Sequence, residues 1–149
     1  MVLGKASSSS LSMKSDEDVV NNNNNLRVLV VDDSPMIRKL HDMYLKKFGL
    51  EVQVAENGKN AVELFRFGAS FDLILMDKEM PVMDGAEATK ELRAMGVKSM
   101  IVGVTSLDSP YEKQVFMEAG LNYCFNKPLI ADNISFLLQE LNKNNNDKN

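Results

Sequence analysis

The sequence predicts an α/β fold built on a parallel sheet, and three observations carry that prediction. Short apolar runs alternate with segments of helical periodicity, five times over, between Leu26 and Leu141. The connections are only a few residues long, which leaves little room for other wiring. Three of the apolar runs are nearly continuous, as strands buried on both faces are, while two are broken by polar residues, as edge strands are.

The first run, LRVLVV over 26–31, stops at Asp32-Asp33. Ser34 then stands as an N-cap with Pro35 at the first helical position, and Met36, Ile37, Leu40, Tyr44 and Phe48 recur at helical spacing until Gly49. A second strand, EVQVA from Glu51, alternates Val52 and Val54 with polar residues. A helix over about 58–67 carries Val62, Leu64 and Phe65 and ends at Gly68. The third strand is expected at 72–76. The next helix starts near Asp84-Gly85, carries Ala88 and Leu92, and ends at Gly96. The fourth strand is MIVGVT, Met100 to Thr105, followed by a helix capped at Ser109-Pro110 and stopped by Gly120. A fifth strand is expected at about 121–125 and a last helix at 130–141, with Ile134, Leu137, Leu138 and Leu141 on one stripe. Runs one, three and four are the continuous ones, so strands two and five are the edges. That matches the order 2-1-3-4-5, a flavodoxin-like doubly wound (βα)5 three-layer sandwich.

The 149 residues suffice for one domain, expected at 26–141. Residues 1–25, with Ser7 to Ser10 and Asn21 to Asn25, hold too little apolar surface to build a core and are expected to be disordered. Asp16-Glu17-Asp18 and the lack of Arg argue against a transit peptide. Residues 142–149 are expected to form a polar tail. The chain is 44% hydrophobic and 26% charged, with net charge -4 and a pI near 5.0. These totals argue against direct nucleic-acid binding. No apolar run approaches a membrane span of roughly 18 residues. A single cysteine, Cys124, permits no internal disulfide and fits a reducing compartment. The expected setting is cytoplasmic or nuclear, and the expected state monomeric.

Ligand sites in such sheets lie beyond the carboxyl ends of the strands. There the sequence places Asp32-Asp33, Asp77, Thr105-Ser106 and Lys127-Pro128. Two carboxylates about 4 Å apart repel by roughly 4 kcal/mol at an effective dielectric near 20. Three acids beside one lysine must therefore take up protons or bind a cation. All-oxygen ligands favour magnesium, calcium or manganese, and few protein ligands with several waters are the magnesium style, with manganese possible. A metal, an ammonium and a hydroxyl around one anchored carboxylate make a phosphoryl-transfer site, whose catalysis is positioning and charge neutralisation. Asp77, ending the central strand between the acid pair and Lys127, is the natural covalent acceptor.

The stretches VLVVDDS (28–34), LMDKEMPVMDG (75–85), VTS (104–106) and NKPL (126–129) resemble response-regulator receiver domains of two-component phosphorelays. They cover the whole predicted folded unit in order. The resemblance implies that Asp77 is phosphorylated. It implies that Asp33 and Asp77 bind Mg²⁺ directly with the Glu79 backbone carbonyl, and that Asp32 acts mostly through water. It further implies that Thr105 and Lys127 contact the phosphoryl group, and that the Lys127-Pro128 bond is cis. The short build, the MDKEMPVMDG stretch and the Cys in NYCFNKP resemble plant type-C, stand-alone response regulators of cytokinin-type signalling. The implied partner is a histidine-containing phosphotransfer protein or a histidine kinase. It would dock beside the site on apolar contacts near Pro35, Met36 and Pro128.

Other readings use the same residues. Transfer to Asp77 followed by rapid hydrolysis would make a net phosphohistidine phosphatase. A haloacid-dehalogenase-like phosphatase would want a second Asp where Glu79 stands, and a flavodoxin would want a Ser/Thr/Gly-rich loop where DDSPM stands. His41, the only histidine, falls on a helix four residues after Ile37. It is expected to be a partly buried packing residue and not a phosphodonor. Asp84 and Gly85 are expected to open a helix, Met76, Met80 and Met83 to pack, and Cys124 to be an inert thiol in an edge strand. Cys124 stands where many receivers carry a switching aromatic, and Tyr123, one residue earlier, should face the other side of the strand. Glu79 and Leu107 are expected to flank the mouth of the site.

Overall fold

The computed structural model describes residues 26–106 and 109–147, with side chains described to Asn144. The disorder expected for 1–25 and the position of Leu107 lie outside the described residues. Within them run β1 (Arg27–Val31), α1 (Pro35–Lys47), β2 (Glu51–Ala55), α2 (Gly58–Arg66), β3 (Leu73–Asp77), α3 (Gly85–Ala94), β4 (Met100–Thr105), α4 (Pro110–Glu118), β5 (Tyr123–Asn126) and α5 (Ala131–Asp147). The strands form one parallel sheet in the order β2-β1-β3-β4-β5.

The period of two along each strand sorts side chains onto two faces. Val28, Val30, Leu73, Leu75, Val102 and Val104 meet Leu45 of α1 and Ile134, Leu137, Leu138 and Leu141 of α5. Leu29, Val31, Ile74, Met76 and Ile101 meet Ala61 and Val62 of α2, Ala88 and Leu92 of α3 and Phe116 of α4. β3 and β4 are buried along their whole length, while β2 and β5 are mostly half-buried or exposed. Each interior strand is thus covered on both sides, which is why its sequence reads as an unbroken apolar run.

Helix starts follow local chemistry. The side chains of Ser34, Asn57, Asp84 and Ser109 accept backbone N–H groups of Ile37, Asn60, Glu87 and Glu112. No helix among the described residues is long and apolar enough to cross a membrane.

The ends of β3, β5 and α5 differ from expectation. β3 takes in Asp77 as its last residue, because the ladder to β4 pairs Asp77 with Val104. Asp72, read as the strand start, instead accepts the Arg27 N–H with its carboxylate at 2.8 Å. β5 begins only at Tyr123, since the Asn122 side chain accepts the Ile101 N–H at 2.8 Å and bends the chain into the strand. α5 runs to Asp147, through residues read as a polar tail. Asn and Lys are tolerated in a helix, and neither Gly nor Pro occurs there to stop it. The apolar stripe does end at Leu141, as read.

Candidate functional site

Asp32 follows β1 directly, and its N–H donates to the Ala55 carbonyl at 3.1 Å, carrying the strand geometry one residue further. Its Oδ1 accepts the Ser34 N–H at 2.9 Å, and its carbonyl accepts Arg38 Nη1 at 2.7 Å. Backbone and side chain of Asp32 are therefore both fixed, with the residue only 2% exposed. Asp33, next along, is exposed.

Asp77 comes to the same place from β3 and is buried. Lys127 arrives from the end of β5, where its N–H donates to the Thr105 carbonyl at 2.9 Å. Its Nζ lies 2.8 Å from Asp32 Oδ2 and 2.9 Å from Asp77 Oδ1, bridging the two acids. The Lys127-Pro128 peptide is cis. Thr105, one residue beyond the β4 partner of Asp77, is buried at the same end. Glu79 is exposed at the loop after β3.

Burial pushes the Asp77 carboxyl up to about 6, although bonds from Lys127 and the Glu79 backbone pull it down, and the Asp32 charge adds to the rise. Burial pulls the Lys127 ammonium down, but its two carboxylate partners outweigh that and leave it raised. The lysine stays charged, and the Asp77 carboxylate remains short of countercharge. Asp32, Asp33 and Asp77 each offer a carboxylate oxygen, all within 4.8 Å of one another. An all-oxygen trio fits a hard divalent cation, which would supply the missing positive charge.

Sequence reading missed the floor of this site. Gly85 packs on Asp77: a Cβ at Gly85 would collide with the Asp77 carbonyl oxygen. The Gly85 N–H donates to the Lys78 carbonyl at 2.9 Å, and Lys78 Nζ lies 3.7 Å from Asp84. Gly85 does open α3, as expected, but it also packs directly on the Asp77 backbone. The only signal was a glycine at a first helical position, where most residues serve. Deep burial of His41 was also missed. It is 2% exposed, and its Nε2 has no hydrogen-bond partner. Burial lowers its pKa, Asp32 opposes that and Lys127 reinforces it.

β5 separates the two residues of the switch position as expected. Tyr123 packs with the α1 and α5 side, donates to Glu140 Oε1 at 3.0 Å, and stands edge-on to Phe136 with centroids 5.2 Å apart. Cys124 packs on the opposite side with the α2, α3 and α4 cluster, where burial raises its thiol pKa against a weaker opposing pull from Lys113.

The family model for the response regulator receiver domain matches residues 28–139. Among curated relatives, the two-component response regulator ARR22 of Arabidopsis thaliana is 49% identical over 138 residues, covering 91% of this chain and 97% of that protein. Among solved structures, the receiver domain of Saccharomyces cerevisiae Ssk1, crystallised with the histidine phosphotransfer protein Ypd1, superposes with TM-score 0.73 at 26% identity, covering 80% of this chain and 90% of that one. The receiver domain of sensor histidine kinase PA1611 from Pseudomonas aeruginosa, which holds a magnesium ion in its active-site cleft, gives 0.70 at 27% identity, covering 80% and 98%. With the matched segment spanning all five strands and the acid–lysine cluster, the chain belongs to the response regulator receiver family and is similar to the plant type-C regulators.

Proposed function

We propose that this receiver is a phosphoacceptor in a histidine-to-aspartate phosphorelay, taking phosphate from a phosphohistidine-bearing phosphotransfer protein onto Asp77. The observation that carries the reading is the buried Asp77 carboxylate, held at the end of the central strand by Lys127 and faced by Asp32 and Asp33. A carboxylate oxygen of Asp77 attacks phosphorus, the phosphorus–nitrogen bond to the donor imidazole breaks, and the ring nitrogen keeps that electron pair. The Lys127 ammonium neutralises charge on the transferred group, and the Thr105 hydroxyl donates to a second phosphoryl oxygen. Asp33, Asp77 and the Glu79 carbonyl would hold Mg²⁺, with Asp32 through water, and that ion would neutralise the acids and the phosphoryl oxygens. The likeness to ARR22 over nearly all of that protein supports a receiver acting without a second domain. The pairing of the yeast neighbour with Ypd1 supports the kind of donor.

The test is incubation with a phosphorylated phosphotransfer protein and Mg²⁺, comparing wild type with Asp77→Asn. Wild type should acquire label as the donor loses it, and the variant should acquire none. Equal labelling of both would overturn the assignment of Asp77.

A further inference from the structure

Asp33 is held in place without its own side chain being held. It is exposed, and among the described residues its carboxylate makes no hydrogen bond and no ion pair. Yet one of its oxygens lies within 4.8 Å of carboxylate oxygens of both Asp32 and Asp77. Like charges so close repel, so nothing at the carboxylate itself keeps it there. Its direction is set by the backbone on which it stands.

Two peptide planes flank the Asp33 Cα, and each is rigid. The plane after it carries the Ser34 N–H, which donates to Asp32 Oδ1 at 2.9 Å. The plane before it carries the Asp32 carbonyl, which accepts Arg38 Nη1 at 2.7 Å. With both planes held, the Cα–Cβ bond of Asp33 has one direction. The sheet does not supply the second restraint. Its last rung here is the Asp32 N–H to the Ala55 carbonyl, and β2 ends at Ala55. Arg38 stands in for the missing rung.

The Arg38 N–H donates to the Ser34 carbonyl at 3.0 Å, so its side chain springs from the first closed turn of α1 and folds back over the backbone it follows. A guanidinium offers five donors and pairs readily with carboxylates. Among the described residues Arg38 makes no ion pair, although three acids cluster at this strand end. Its bond goes to the main chain, where it fixes geometry and not charge.

We propose that Arg38 is a positioning residue for the divalent cation: by clamping the Asp32 carbonyl from α1, it aims the Asp33 carboxylate at the point shared with Asp77 before any ion arrives. The inference rests on the metal reading above and adds to it a residue outside the acid cluster.

The test compares wild type with Arg38→Met and Arg38→Lys in the full chain. Mg²⁺ affinity is measured by calorimetry, acetyl-phosphate labelling is followed as Mg²⁺ is raised, and melting temperature is taken with a chelator present. In Arg38→Met the Mg²⁺ dissociation constant should rise about tenfold, as for loss of a group that orients a metal ligand. The Mg²⁺ concentration for half-maximal labelling should rise by the same factor, and the labelling defect should shrink as Mg²⁺ saturates. Arg38→Lys keeps a donor and should fall between wild type and Arg38→Met. Arg38→Ala, which also deletes the donor and suits a helix, stands in should Arg38→Met fail to fold. If wild type binds Mg²⁺ and the variant without the donor binds it equally well, the inference alone is overturned. An affinity that merely follows the metal-free melting temperature across the proteins would trace the effect to packing and overturn it too. If wild type binds no Mg²⁺, the metal reading falls and takes this inference with it.

Discussion

Asp77→Asn removes one charge from the acidic centre at almost constant volume. The Asp77 carboxyl is raised from 3.8 to about 6, chiefly by burial. A folded-state pKa above the unfolded value means that the folded protein binds the proton more readily between those two limits. This group's contribution to stability is then greatest at low pH and is lost as pH rises through about 6. At pH 7.5 the ionised carboxylate costs the metal-free fold roughly 3 kcal/mol. Asparagine keeps the shape without the charge, and Lys127 retains its 2.8 Å contact with Asp32. Since the amide also gives up a charge-assisted bond to Lys127, a net stabilisation of about 1–3 kcal/mol is expected. Urea unfolding with a chelator present, from pH 4.5 to 8, reads this directly, and the difference between the two proteins cancels the other titrating groups. The gap should narrow as pH falls through 6 towards 4.5, where wild type regains its proton. It should also narrow when Mg²⁺ is added, because binding to the native state stabilises wild type more. A variant no more stable than wild type at pH 7.5 without metal would refute the reasoning.

Gly85→Ala forces a methyl against the Asp77 carbonyl; a loss of about 1–3 kcal/mol in urea unfolding is expected, with slower acetyl-phosphate labelling because the acceptor shifts. Arg93 donates to the carbonyls of Val97, Ser99 and Gly120 and to the Asn122 side chain, all at 2.8–2.9 Å. Arg93→Met should cost about 2 kcal/mol or more while labelling by acetyl phosphate persists, since these contacts lie at the opposite end of the strands; loss of labelling in a still-folded variant would contradict that separation. With Cys124 inward and Tyr123 held outward by Glu140, beryllofluoride should shift few amide signals across residues 109–130, and large NMR changes there would sink the prediction. Glu79→Ala should change the lifetime of phospho-Asp77, and an unchanged half-life would show that the exposed side chain does not reach the hydrolytic water.

The sheet order was legible because coverage on two faces leaves a mark on composition: Leu73 to Met76 could be nothing but interior, and Glu51 to Ala55 could not be. Helix caps were legible at Ser34, Asp84 and Ser109 because a cap is a local event between a side chain and an N–H three residues away. The acid–lysine cluster was legible because strand ends in this topology share one edge. What escaped was set by contacts distant in sequence or by backbone alone. The approach of Gly85 to Asp77 spans a loop whose path no residue preference specifies. Burial of His41 depends on packing around α1 that helical spacing does not quantify.

The hydrogen bond from Gly85 to Lys78 has a mechanical consequence. Gly85 is the first residue of α3, and Lys78 is the first residue beyond Asp77. A displacement of the Asp77 backbone would be passed to the start of α3, because the loop's two feet are joined to each other. The joint couples the end of β3 to the start of α3 through a glycine that has no side chain to yield.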